Sequence, residues 1–154
     1  MRVLAIGKTP YYISYALFDN KAFIGYGKRQ IDNSNNRARI LSIRGIVNDL
    51  INELKPDFMA THLMDYKRIL KKDLDKIVEM RTIFRMTCYE NNVMYGEFKT
   101  DGWEKRITGL RPTNANKLKV INKGYGINVK DIEIADAIIL GEGVAYNRLM
   151  VGDM

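Results

Sequence analysis

The feature that most constrains the fold is an abrupt change of hydrophobic period near residue 31. Before it, apolar residues come in short runs: RVLAIG at 2–7, YISYALF at 12–18 and AFIGYGKR at 22–29, with Asp19-Asn20-Lys21 between the last two. Such runs, divided by turn residues, predict three strands in an antiparallel meander. Beyond the polar run 32–36, Ile40, Ile43, Val47, Leu50, Ile51 and Leu54 step by three and four, which predicts a helix over 37–54. Lys55-Pro56-Asp57 stops it, because proline breaks the helical hydrogen-bond ladder. FMATHL at 58–63 reads as a buried strand, and VMYGEF at 93–98 as a fifth. Between them a helix is predicted over 65–91, with Ile69, Leu70, Leu74, Ile77, Val78, Phe84 and Cys88 at helical spacing. Met80 and Ile83 widen its apolar stripe beyond one core face, a pattern that suits either packing against a second copy of the chain or a deeply buried helix. A helix starting at Thr113, a loop at 124–128 and a last helix over 131–147 complete the chain. The order β-β-β-α-β-α-β-α-α predicts one α/β domain, residues 1–154, with a mixed five-stranded sheet.

Composition narrows the function. The 154 residues, 46% apolar and 28% charged, fit one ordinary globular core. A single cysteine, Cys88, excludes an internal disulfide and a cysteine-only zinc site. With no apolar run near about 18 residues, no membrane helix is expected, and a reducing, cytoplasmic setting is the expectation. Twenty-five Lys and Arg against 18 Asp and Glu give a net charge of +7, which suits either an anionic partner or simple solubility.

The distribution of that charge favours an anionic partner. Lys99, Lys105, Arg106, Arg111, Lys117, Lys119 and Lys123 lie within residues 99–123, opposed by Asp101 and Glu104. Trp103, the one tryptophan, sits among them. Cations interleaved with an aromatic suit a phosphate backbone with a stacking platform, so these residues are the candidate DNA-binding set. On the last helix Glu133 and Asp136 are three residues apart, hence on one face, where two carboxylates make a hard-oxygen pair for Mg²⁺. The same spacing also serves an acidic first turn that complements the helix dipole. Asp136 lies between Ala135 and Ala137-Ile138-Ile139, a setting in which a carboxylate needs a partner. His62, the one histidine, falls at the end of FMATHL, where sites of α/β sheets tend to form. No Walker A motif is present, and Gly25-Tyr26-Gly27 and Gly124-Tyr125-Gly126 lack the strand-to-helix context of a dinucleotide loop.

Together these elements resemble the ribonuclease H-like fold, and within it the RuvC family of Holliday junction resolvases. Val3-Leu4-Ala5-Ile6 with Gly7 is similar to the family's first strand, which ends in a catalytic aspartate. Lys55-Pro56-Asp57-Phe58-Met59-Ala60 resembles the start of its fourth strand, which ends in a catalytic glutamate, and Glu133-Ile134-Ala135-Asp136-Ala137 resembles its closing acidic motif. The resemblance implies DNA as partner, Mg²⁺ as cofactor, DNA-contacting cations near Arg106 and Lys117, and a homodimer built on helix 65–91; the neutral nitrogen of His62 suits Mn²⁺ better than Mg²⁺.

Two of the four acidic positions depart from the family. Gly7 stands at the first and His62 at the second, and Lys8 brings a cation next to the expected metal position. A two-metal nuclease needs several shared oxygen ligands; Glu133 and Asp136 supply two carboxylates, so any metal held here is held weakly. Three readings follow: a RuvC-like protein that binds branched or duplex DNA with lost or impaired cleavage, a divergent nuclease using His62, Glu133 and Asp136, and a protein-interaction module on the same fold.

Overall fold

The computed structural model describes residues 1–63, 67, 69–109 and 111–151. The meander forms: β1 (Arg2–Ile6) pairs antiparallel with β2 (Tyr12–Asp19), and β2 with β3 (Ala22–Gln30). Asn20 and Lys21 both take positive φ in the β2–β3 turn, the geometry that matches the twist of a tight hairpin. Helix α1 (Asn36–Leu54) is capped by Asn35, whose side chain accepts from the Ala38 amide, and it ends on a left-handed Lys55. There follow β4 (Phe58–His62), α2 (Lys71–Glu90), β5 (Met94–Lys99), α3 (Asp101–Thr108), α4 (Asn114–Tyr125), α5 (Ile132–Ala145) and β6 (Met150–Val151).

The sheet order is β3-β2-β1-β4-β5-β6. The pairs β1–β4 and β4–β5 are parallel, and Val3 lies opposite Phe58, so strand 2–7 is next to strand 58–63 as the family resemblance requires. All five anticipated strands are present in a mixed α/β sheet. The two-residue β6, antiparallel to β5, extends its edge. Helix α3 is a further element, in a segment where the sequence pattern predicts no regular structure.

Alternation along β1 divides the core. Leu4 and Ile6 face α1 and α2, where they pack with Ile43, Val47, Met80 and Phe84. Val3 and Ala5 face α5, with Ala16, Ala60 and Ile138. Small residues on that second face let α5 lie close to the sheet: a Cβ on Gly141 would stand 2.6 Å from the Phe18 ring. A helix held that closely is covered almost all round, and Ile134 through Gly141 are buried without interruption.

Helix α2 departs from its predicted extent. Residues 64–66 and 68 lie outside the described ones, and the helix begins at Lys71 after Ile69 and Leu70. Met80 and Ile83, which the sequence pattern makes surplus to one core face, are buried in the core. The apolar residues that α2 leaves in solvent are others: Val78, Met86 and Tyr89, exposed by 47%, 46% and 58%. No described helix is long and apolar enough to cross a membrane.

Candidate functional site

Because β1, β4 and β5 are parallel, their C-terminal ends share one sheet edge. Chain leaving β1 enters Gly7 and Lys8, β4 ends on His62, and β5 leads through Thr100 into α3. The first turn of α5 closes over the same edge. A Cβ on Gly7 would lie 2.6 Å from the Glu133 carbonyl oxygen, so this contact demands glycine and leaves no room for an aspartate without moving α5. Gly7 and His62 line one cavity of about 30 Å³ with Lys8, Thr61 and Arg81, roughly one water molecule's share of space. Lys8 links this cavity to Asp136 of α5, 4.0 Å from its ammonium.

Four charged side chains from four parts of the fold fill the centre. Lys8 Nζ lies 2.9 Å from Glu104 Oε1 of α3 and 4.0 Å from Asp136 Oδ1 of α5. Lys117 Nζ of α4 lies 3.0 Å from Asp136 Oδ1 and 3.7 Å from Glu104 Oε1. Each ammonium therefore faces both carboxylates. Thr100 donates its hydroxyl to Glu104 Oε1 at 3.0 Å. The Thr100 oxygen also lies 3.4 Å from His62 Nδ1, which ties the ring to the cluster. His62 Nε2 is buried and has no hydrogen-bond partner among the described residues.

The electrostatics follow from this geometry. Burial holds His62 well below its ordinary value of 6.5, and the Lys8 and Lys117 charges push it the same way, against a smaller opposing pull from the Asp136 main chain. Burial alone would raise Glu104, but Lys8, Lys117 and the Thr100 hydroxyl outweigh it and hold the carboxyl below its usual range. For Asp136 burial dominates, and its pKa is raised despite both lysines. For Lys8, burial lowers the pKa, and Asp136, Glu104 and Asp101 more than compensate, so it is raised and the ammonium stays charged.

Several expected site residues take other roles. Lys117, read as a DNA contact, is buried and paired inside the cluster, because α4 lays it against α5. Trp103 packs partly buried against the α5-side core, with its indole Nε1 enclosed, and is not a free stacking platform. Lys99, Lys105, Arg106, Arg111, Lys119 and Lys123 are exposed. Glu133 turns away from Asp136 toward Asp131 and Tyr12, where burial and the Asp131 carboxylate raise its pKa. Sequence reasoning misses Glu104 and Thr100 as site residues. Glu104 reads only as one acid opposing a basic segment, and nothing in that segment marks it as buried.

The family resemblance raises the question of a divalent ion. The residues do not fit one: lysine ammonium groups rest against the Glu104 and Asp136 oxygens that would have to ligate it. His62, Glu133 and Asp136 do not close into a ligand set, since no group of three His, Cys, Asp or Glu among the described residues is arranged to hold a metal.

No family model and no curated protein matches the sequence. The likeness is in three dimensions. RuvC from Thermus thermophilus, solved in complex with a Holliday junction substrate, superposes with a TM-score of 0.78 over 99% of both chains, at 10% identity. This chain has the RuvC-like fold. The yeast mitochondrial Holliday junction resolvase gives 0.64 over 93% of this chain and 77% of its own, at 11% identity. Fowlpox virus resolvase, solved with substrate Holliday junction DNA, gives 0.53 over 96% and 98%, at 16% identity.

Proposed function

We propose that this protein binds branched DNA of the four-way junction type through its RuvC-like fold and does not cut it by two-metal chemistry. The observation that carries this reading is the closed Lys8–Glu104–Lys117–Asp136 cluster at the sheet edge, on a fold shared with proteins solved on junction DNA. Two-metal hydrolysis needs open carboxylate oxygens to bridge the ions, and here Glu104 Oε1 and Asp136 Oδ1 already hold ammonium groups. What remains suited to DNA is the cationic surface beside the cluster. Lys99, Lys105, Arg106, Arg111, Lys119 and Lys123 offer phosphate contacts with counterion release, and phosphate contacts position a duplex arm without reading its bases. A gel-shift series with four-way junction, duplex and single-stranded DNA, with and without Mg²⁺, tests the proposal. Junction binding at least about tenfold tighter than duplex, without product bands, is expected. Symmetric cutting in Mg²⁺ defeats the reading, and no binding to any DNA at low salt points to a protein partner instead.

A homodimer fits the same reading, through the outward side of α2. Val78, Met86 and Tyr89 recur at intervals that share a helix face, and the sheet covers the opposite face. The residue to test is therefore Met86 rather than the core residue Ile83. Met86→Asp is expected to halve the mass seen by sedimentation with little loss of stability; a wild-type monomer at high concentration removes the idea.

A further inference from the structure

We propose that the Lys8 and Lys117 ammonium groups are the resident cations of this centre, holding Glu104 and Asp136 together so that the site neither needs nor accepts a divalent ion. This goes beyond the DNA-binding reading, because it concerns the free protein and stands or falls without nucleic acid.

Charge balance sets the first constraint. A buried carboxylate is costly unless a cation or several donors compensate it. Glu104 and Asp136 are both almost fully buried, and their Oε1 and Oδ1 atoms are shared by the same two ammonium groups at 2.9 to 4.0 Å. Two positive and two negative groups balance within the cluster. A divalent ion placed among them would add two charges to a balanced set and would have to expel at least one lysine.

Geometry sets the second. The lysines reach the centre from distant parts of the chain, one at the end of β1 and one in α4. Lys117 is almost fully buried, whereas Lys8 is partly exposed. Gly7, which lets Lys8 follow directly on β1 while α5 lies against the main chain, leaves no side chain at the position where an acid would contribute a further ligand. His62 meets the cluster through the Thr100 hydroxyl, 3.4 Å from its Nδ1, and through neither carboxylate. Lysine is thus the cation that every group at the centre accommodates.

The test is thermal unfolding of the free protein in EDTA, in Mg²⁺ and in Mn²⁺. A metal filling a native site at about a hundredfold above its Kd raises the midpoint by roughly 5–10 °C for a chain of this size. The wild-type protein is expected to shift by less than about 1 °C, well below that scale. A shift of several degrees in Mn²⁺ that Asp136→Asn abolishes overturns the proposal. The second arm removes the cation. Lys117→Met is expected to lower the midpoint, and Lys117→Met with Asp136→Asn to recover a substantial part of the loss, since the stranded charge is then gone. Equal loss in single and double variants overturns the proposal. If Lys117→Met does not fold, Lys8→Met with and without Glu104→Gln reads the same coupling at the more exposed lysine, with the same two outcomes.

Discussion

Among the described residues, two buried ion clusters differ in how they are built. In one, Glu97 of β5 is fully enclosed, accepts from Arg85 of α2 at 2.7 Å and forms an ion pair with Arg81 of the same helix at 2.8 Å. Both arginines come from a single helix at i and i+4, so one helix–strand contact supplies the whole cluster. Arg85 also lies over the Tyr95 ring. In the other, Lys8, Glu104, Lys117 and Asp136 come from four parts of the fold, and the bond between Lys8 and Glu104 spans 96 positions of sequence. The first cluster pins α2 to the sheet. The second forms where strand ends and helix starts converge, the place at which α/β sheets put their chemistry. Arginine keeps its charge permanently and binds carboxylate as a rigid fork; lysine is a point charge on a flexible stem. A cluster of lysines is therefore the one whose partners can be redistributed by mutation.

The largest effect is expected where the partner left behind is most buried. Asp136→Ala strands the enclosed Lys117 ammonium, with Glu104 at 3.7 Å as its remaining partner, and should cost about 3 kcal/mol in urea unfolding. Glu97→Ala should cost less, about 1–3 kcal/mol, because the side chains of Arg81 and Arg85 keep 20% and 38% of their exposure and can regain water. The reverse order would mean that the arginine cluster is the tighter of the two.

Acid should sharpen the contrast. His62 is held neutral in the folded protein, its pKa well below the ordinary 6.5, so the unfolded chain binds more protons as the pH falls past that value. Stability should drop by up to about 1.4 kcal/mol per pH unit between about pH 6.5 and the lower folded value. Asp136, with a raised pKa, works in the opposite direction, losing stability as the pH rises from its ordinary 3.8 toward its folded value. Comparing the pH slope of His62→Gln with that of wild type isolates the histidine. A wild-type slope retained in the variant would place the titrating group elsewhere.

The smallest effect on stability, and the most specific on function, belongs to the exposed cations. Arg106→Ala with Lys119→Ala should leave unfolding within about 0.5 kcal/mol of wild type. The same pair should reduce the salt dependence of junction binding by up to about two units of slope, roughly one for each phosphate that is no longer neutralised. An unchanged slope would put the DNA surface on another face.

The elements read clearly from sequence wherever a hydrophobic period runs long enough. The six apolar positions of α1 and the alternation in β1 and β2 each imply one geometry. Helix α3 escapes because eight residues containing Gly102, four charges and one aromatic carry too few apolar positions to display a period. The α2 stripe misleads for a different reason: periodicity shows that Met80 and Ile83 lie on an apolar side, but not whether the sheet or a second chain covers it.

For the site, sequence order determines that Gly7, Lys8 and His62 stand at strand ends and that Asp136 lies within an apolar helix. Those are local facts, set by position within an element. Tertiary structure alone decides which charges meet. Lys117 reads as one cation in a basic run, and Glu104 as one acid within it, until α4 and α3 fold over the edge of the sheet and place both beside Lys8 and Asp136. Glu133 and Asp136 share a spacing, yet α5 is buried on nearly every side, so its two carboxylates meet different neighbours. Helical geometry sets the angle between two side chains on one helix; the identity of what each touches depends on elements tens of residues away, whose packing no local pattern encodes.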